Sequence, residues 1–236
     1  MTLIGEGCFI AWYDMKPGHE AEHDNWHTHE HMIERVAIPG FRRGRRYRNL
    51  NGNPRVGVLY EVDTLATLAS PAYLERLNNA TPWTSRTLPN FAGMNRSLCR
   101  VAATHGHGSG GYLLTIQCSP RAGEADRLRD WLANTALPAL SRRAGLCGGH
   151  LLIADQDVST IGTQEKSLRG QADTVADWVV LIEAYDRPAL EHALAELSGA
   201  YGLPGNGARD TFVSGVFNLD FLLDEAEARR IWQPPI

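Results

Sequence analysis

The stretch EHDNWHTHEHMIERVAIPGFRRGRRY, residues 22–47, changes its periodicity part-way along. At about 100° per residue, Trp26, Ile33 and Ala37 share one side, with Glu22 and His29 on its flank, which predicts a helix resting on a core. Pro39-Gly40 ends it, and FRRGRRYRNL then reads as a strand. The same landmarks return 105 residues later, where Trp26 matches Trp131, Gly18 matches Gly123, Gly40 matches Gly145 and Gly44 matches Gly149. VLYEV at 58–62 matches VLIEA at 180–184 with an offset of 122, so 17 extra residues are expected in the second half, around residues 155–173.

Outward from that stretch, CFIAWYDM reads as a strand ahead of the helix at 18–37. After FRRGRRYRNL, the turn signal NGNP leads into the strand RVGVLYEV, a short helix over SPAYLERLNNA and the strand NRSLCRVAA. The second half repeats this order with YLLTIQCS, a helix at 124–144, GHLLIAD, WVVLIEAYD, a helix at 188–198 and TFVSGVFNLDFLL. Each half is βαββαβ, the ferredoxin-like unit. The predicted class is α+β, with two tandem repeats at 1–104 and 112–223, a Gly-rich linker at 105–111 and a tail helix at 224–236. A four-stranded sheet with helices on one face leaves its other face bare. The repeats are therefore expected to pack sheet to sheet as a fused α/β barrel with a pocket between them.

A chain of 236 residues with 43% hydrophobic content can bury a sizeable core. Its 23 basic and 27 acidic residues leave a net charge of -4, which supplies no field to recruit nucleic acid or an anionic membrane. No signal pattern opens the sequence and no apolar run approaches the roughly 18 residues of a membrane span, so a soluble cytoplasmic protein is expected. The four cysteines form no C-x-x-C pair. P-loop, G-x-G-x-x-G and G-x-S-x-G motifs are absent, which removes nucleotide, dinucleotide and serine-hydrolase signals. The partner expected is a small molecule, and exposed helix faces leave self-association open.

The pattern W-x-x-x-E-H-x-x-E-R-x-x-x-P-G-F, Trp26 to Phe41, resembles the dimeric α/β-barrel superfamily, which includes EthD-like proteins, antibiotic-biosynthesis monooxygenases and small polyketide cyclases. The resemblance implies a ferredoxin-like barrel and a helix histidine, here His31, facing its cavity. It implies no particular reaction, since members of that superfamily do unrelated chemistry.

His23, His27, Glu30, His31 and Glu34 border the predicted apolar stripe, with four of the nine histidines inside nine residues. An imidazole titrating near neutrality can take a proton from an activated carbon and return it elsewhere. His31 is the expected base, Glu30 or Glu34 would orient its ring, and Arg46 or Tyr47 would stabilise a developing enolate. Trp12, Tyr13, Tyr60 and Trp83 are candidates for an aromatic lining, and residues 81–96 form a loop placed to cap a pocket. His19 and His29 read as hydrated helix positions. The function expected is a cofactor-independent enzyme moving a proton on an aromatic or carbonyl metabolite, of isomerase, cyclase, lyase or monooxygenase type.

Two alternatives stand beside it. His27 and His31, spaced i and i+4, would clamp a divalent transition metal with Glu34 or His23 as third ligand. His23-Asp24 has Asp where the zincin motif has Glu, which argues against a metalloprotease. The other alternative is a non-catalytic carrier or sensor of a hydrophobic small molecule. On the arginine strand, alternation puts Phe41, Arg43, Arg45 and Tyr47 on one face unless a bulge at Gly44 changes the phase, and the arginines are expected mainly as surface charges on an edge strand.

Overall fold

The computed structural model describes residues 3–232; residues 1–2 and the end of the predicted tail, 233–236, lie outside the described residues. Strand β1 (Gly7–Met15) leads into helix α1, which has three pieces: α-helical Glu20–Trp26, π-helical His27–His31 and α-helical Met32–Val36. Strands β2 (Phe41–Asn49) and β3 (Val56–Val62) follow, then helices α2 (Pro71–Asn78) and α3 (Pro82–Thr87), then strand β4 (Phe91–Gly106). The second half has β5 (Tyr112–Cys118), helix α4 (Ala125–Trp131, π-helical Leu132–Ala136, Leu137–Leu140) and β6 (Leu146–Ala154). Two short helices, α5 (Gln156–Thr160) and α6 (Gln164–Arg169), occupy the predicted insertion. Strand β7 (Trp178–Ala184), helix α7 (Arg187–Ser198), strand β8 (Val213–Asp224) and helix α8 (Glu225–Ile231) complete the chain.

The eight strands close into one antiparallel barrel in the order β1-β3-β2-β8-β5-β7-β6-β4, with β4 returning to β1. The halves meet edge to edge, where β2 hydrogen-bonds β8 and β4 hydrogen-bonds β6, rather than as two stacked sheets. Closure leaves no strand edge bare. Strand β4 extends to Gly106, with His105 opposite Gly149, so the first part of the expected linker belongs to a strand.

Strand β2 has neighbours on both sides and is not an edge. Its register with β3 shifts between Phe41 and Arg43, which reverses the phase of the predicted alternation. Phe41 packs with Trp26, Met32 and Tyr73 in the core under the first half's helices. Tyr47 packs inside the barrel with Trp12, Leu59, Leu181 and Phe217. Gly44 faces α1, where an added Cβ would lie 2.9 Å from both Tyr60 and Val36, so its missing side chain lets the helix approach the sheet.

The expected surface arginines include one that is fully buried. Arg45 is 0% exposed, with Nη1 3.0 Å from Glu183 Oε2 and Nη2 3.0 Å from Glu61 Oε1. Arg43 grips Glu61 with two hydrogen bonds of 2.8 and 2.9 Å, and the backbone N–H of Ile4 donates to the same carboxylate. His150 Nε2 lies 3.5 Å from Glu183 Oε1, and its Nδ1 is 2.8 Å from Thr104 Oγ1. Burial opposes ionisation of Glu183, but Arg45 and His150 outweigh it and hold the carboxyl below its ordinary value.

Removing one member of a buried ion cluster strands the others in a low-dielectric interior, at a cost of roughly 3–5 kcal/mol. Glu61→Gln, which keeps the volume but removes the charge shared by Arg43 and Arg45, is expected to lose about that much in urea or guanidinium unfolding.

Candidate functional site

A cavity lies on the outer face of the first half's sheet, beneath α1, and not between the halves inside the barrel, which side chains largely fill. The reason is the direction of the side chains: Phe9, Ala11 and Tyr13 of β1 point toward α1, while Ile10 and Trp12 point into the barrel. Leu88, Phe91 and Met94 from the predicted capping loop and the start of β4 form one wall. The insertion supplies Thr163, Glu165, Lys166 and Arg169 as a cover, anchored by the backbone N–H of Leu98 donating to Ser159 Oγ at 2.9 Å. The cavity offers about 50 Å³ to water centres. That is room for a few waters and well below the roughly 150 Å³ that takes up benzene, so an organic ligand enters only when lining side chains move.

Helix α1 presents its histidines to this cavity through its π segment. A π turn lengthens the helical repeat to about five residues, so the buried stripe runs His23, His27, Met32 and Val36 with a five-residue step across the π segment, and the predicted Ile33 and Ala37 are only half-buried. His27 is 2% exposed; its Nε2 is 3.4 Å from Tyr60 Oη, and its Nδ1 has no hydrogen-bond partner. Burial, followed by the neighbouring His23 and His31, pushes the His27 pKa well below the ordinary imidazole value. His31 stacks on Trp26 with ring centroids 4.2 Å apart, and its Nδ1 lies 3.2 Å from Glu34 Oε1. The contact is within ion-pair range but lacks aligned hydrogen-bond geometry. Burial opposes ionisation of Glu34, but Arg35 and His31 outweigh it and keep its pKa low. Arg35 also binds Glu165 of the cover, which ties α1 to α6.

A second chain of contacts runs from the cavity wall outward. Tyr13 Oη is 2.8 Å from His23 Nε2, and His23 Nδ1 is 2.9 Å from Asp24 Oδ1. An ionised Asp24 only accepts, so Nδ1 carries the proton and Tyr13 donates to Nε2. Burial raises the Asp24 pKa, but hydrogen bonds from His23 and Arg48 outweigh it and hold the carboxyl at about 2. Burial lowers the His23 pKa, against the pull of Asp24. The link from Tyr13 to partly exposed Asp24 joins the cavity to solvent. Sequence reading placed Tyr13 among the aromatic lining and His23 among the metal ligands but did not connect them, because their contact crosses from a strand to a helix.

Of the predicted site residues, His31, His27 and Tyr60 line the cavity, and Glu34, which is not in its lining, contacts His31. Glu30 instead accepts from Thr81 at 2.6 Å and Thr84 at 3.2 Å, tying α1 to α3. Arg46 binds Asp220 at 2.7 Å and the Asp24 carbonyl at 3.2 Å, and Trp83 donates to Glu22 at 2.7 Å. Tyr47 and Trp12 lie across the sheet inside the barrel. The sequence periodicity put Glu30 beside His31, but the side chains of adjacent helical residues diverge.

No protein-family model matches the sequence, and no curated protein matches it. Solved structures share the fold. An anthrone oxidase-like protein has a TM-score of 0.61 and 10% identity, with 95% of each chain covered. A candidate monooxygenase from Fusobacterium nucleatum has a TM-score of 0.57 and 8% identity, covering 94% of this chain and 96% of its own. Another from Lactobacillus acidophilus has a TM-score of 0.57 and 7% identity, covering 93% and 97%. The chain therefore shares its fold, a closed eight-stranded antiparallel barrel, with these proteins.

The second half replaces the polar cavity groups with apolar ones. At the repeat offsets, Tyr13, His23, His27, His31 and Tyr60 correspond to Cys118, Leu128, Leu132, Ala136 and Ile182. His27→Leu would thus copy the second half. A histidine with a lowered folded pKa contributes stability above its unfolded value near 6.5 and loses it as pH falls below. The wild-type melting temperature is expected to drop between about pH 7.5 and 5, and His27→Leu to drop less, as read by circular dichroism melts.

Proposed function

We propose that the chain is a cofactor-independent enzyme that moves a proton on a small aromatic or carbonyl compound, with His31 as the base. The reading rests on one observation: His31 stands in a mainly aromatic and apolar cavity wall with Glu34 at its Nδ1. A carboxylate there favours the tautomer with hydrogen on Nδ1, leaving the Nε2 lone pair for a substrate proton. Stacking on Trp26 restricts the ring further. His27 and Tyr60 sit beside the reacting region as a neutral donor and acceptor pair, suited to an enolate oxygen. Tyr13, His23 and Asp24 give a proton a route to solvent. The fold neighbours described as monooxygenases and anthrone oxidase-like support a search among aromatic and carbonyl substrates.

In this reading the barrel is a fused duplicate of one βαββαβ unit. Matching strand orders, β4-β1-β3-β2 and β8-β5-β7-β6, support it, as do π segments 105 residues apart. The EthD-like affinity belongs to the same proposal.

The test is solvent-deuterium exchange at acidic C–H bonds, followed by NMR across a panel of enolisable ketones and phenols that includes anthrone. His31→Gln is expected to slow exchange by about 100-fold or more while ligand binding persists. Unchanged exchange in His31→Gln would sink the acid–base role, and binding with no exchange by the wild type would favour the carrier reading.

A metal-dependent reading has one observation in its favour: ligand atoms of His31, Glu34 and Glu165 lie within 4.8 Å of one another. The predicted partner His27 is not part of that group. Arg35 already binds Glu165 and lies 3.5 Å from Glu34, so a divalent ion would have to displace a guanidinium. The residues fit an internal cation better than a metal. Protein dialysed without chelator is expected to hold far less than one equivalent of metal; one equivalent lost in His31→Gln would replace the acid–base reading.

A further inference from the structure

The ion pairs around the cavity do not cancel. Glu165 and Glu34 are taken by Arg35, and Asp173 by Arg169 at 2.7 Å. Two cations remain. Arg96, on β4, is 6% exposed, with its guanidinium carbon 5.2 Å from the Phe9 ring centre. Its donors reach only neutral oxygens, the Ser159 carbonyl at 3.3 Å and Tyr73 Oη at 3.5 Å. Lys166 of the cover donates to the same Ser159 carbonyl at 2.7 Å. Among the described residues neither cation has a carboxylate in ion-pair range. Both line the cavity, as does Arg35, whose Nη1 is buried with no acceptor.

A buried arginine ordinarily meets an anion, because a lone desolvated charge is costly. Two cations converging on one neutral carbonyl, in a cavity also lined by a guanidinium with an orphaned N–H, make an oxyanion-binding corner that the described residues do not fill. We propose that the substrate carries a carboxylate, bound by Arg96 and Lys166, so that the site acts on small aromatic or carbonyl acids. The inference rests on reading this cavity as a substrate site. It also explains how the narrow cavity would open: Lys166 belongs to the insertion, and a carboxylate replacing its bond to Ser159 would re-seat the cover around the ligand.

The pH response follows from the groups facing Lys166, namely Arg96 from β4 and Arg169 and Asp173 from the insertion. Burial, then Arg96, pushes Lys166 down to about 8. Carboxylate affinity should therefore fall as pH rises through about 8, where the amine loses its proton.

The experiment is calorimetric titration of the full chain with acetate, benzoate, phenylacetate and pyruvate, against benzamide, phenylacetamide and inorganic phosphate. Carboxylates are expected to bind about tenfold or more tightly than the matched amides, and Lys166→Met to remove that preference. Lys166 is partly exposed, so this variant keeps the fold; circular dichroism melts verify that. Equal affinity for acids and amides, no carboxylate binding, an effect absent in Lys166→Met, or tighter binding of phosphate than of every carboxylate would overturn the proposal. The two readings fail separately. Lys166-dependent carboxylate binding without C–H exchange keeps this inference and removes the acid–base one; exchange on neutral ketones that is insensitive to Lys166→Met does the reverse.

Discussion

Arg45 holds the barrel together at its centre. It projects from β2 of the first half and reaches Glu61 of its own half and Glu183 of the other, with none of the three more than 1% exposed. Both carboxylates occupy the same place in their halves, and His150 stands where Arg45 would be in the second. The cluster therefore joins the halves by charge where β2–β8 and β4–β6 join them by backbone hydrogen bonds. A buried ion cluster of this kind contributes less net stability than an apolar filling would. Its geometric demand, one cation between two carboxylates, nevertheless favours one relative placement of the halves.

With most of the barrel interior filled by side chains, the cavity beneath α1 lies outside it, between sheet and helices. There the two halves diverge. Both long helices carry a π segment at the same position, yet one packs histidines and the other leucines. Leu128, Leu132 and Leu137 are each 0% exposed, which lets the second half serve as a dry support. The first half carries His23 and His27 into similar burial, where desolvation disfavours their protonated forms. Such groups weaken the fold on its acid side.

The insertion makes the division of labour reciprocal. It arises from the second half between β6 and β7, yet it lies over the first half's cavity and binds α1 through Glu165 and β4 through Ser159. Neither half forms the site alone. The cover is held by a handful of polar contacts and two short helices, a weaker attachment than the barrel seams, so local opening falls there rather than in the sheet.

The sequence by itself determined the succession of elements and the place of the extra segment between β6 and β7, because periodicity, Pro-Gly stops and internal matches are local or self-referential. What it left open depended on phase. One register shift before Arg43 and one π segment at His27–His31 each displace side chains by a residue, and no local pattern announces either. Those two shifts sent Tyr47 and Arg45 into the barrel and brought Met32 and Val36 onto the sheet. Glu30 turned to Thr81, while the contacts Tyr13–His23, Arg35–Glu165 and Arg96–Ser159 join residues on different elements. Such pairings exist only once the barrel has closed and the cover has docked, so only the tertiary structure could decide them.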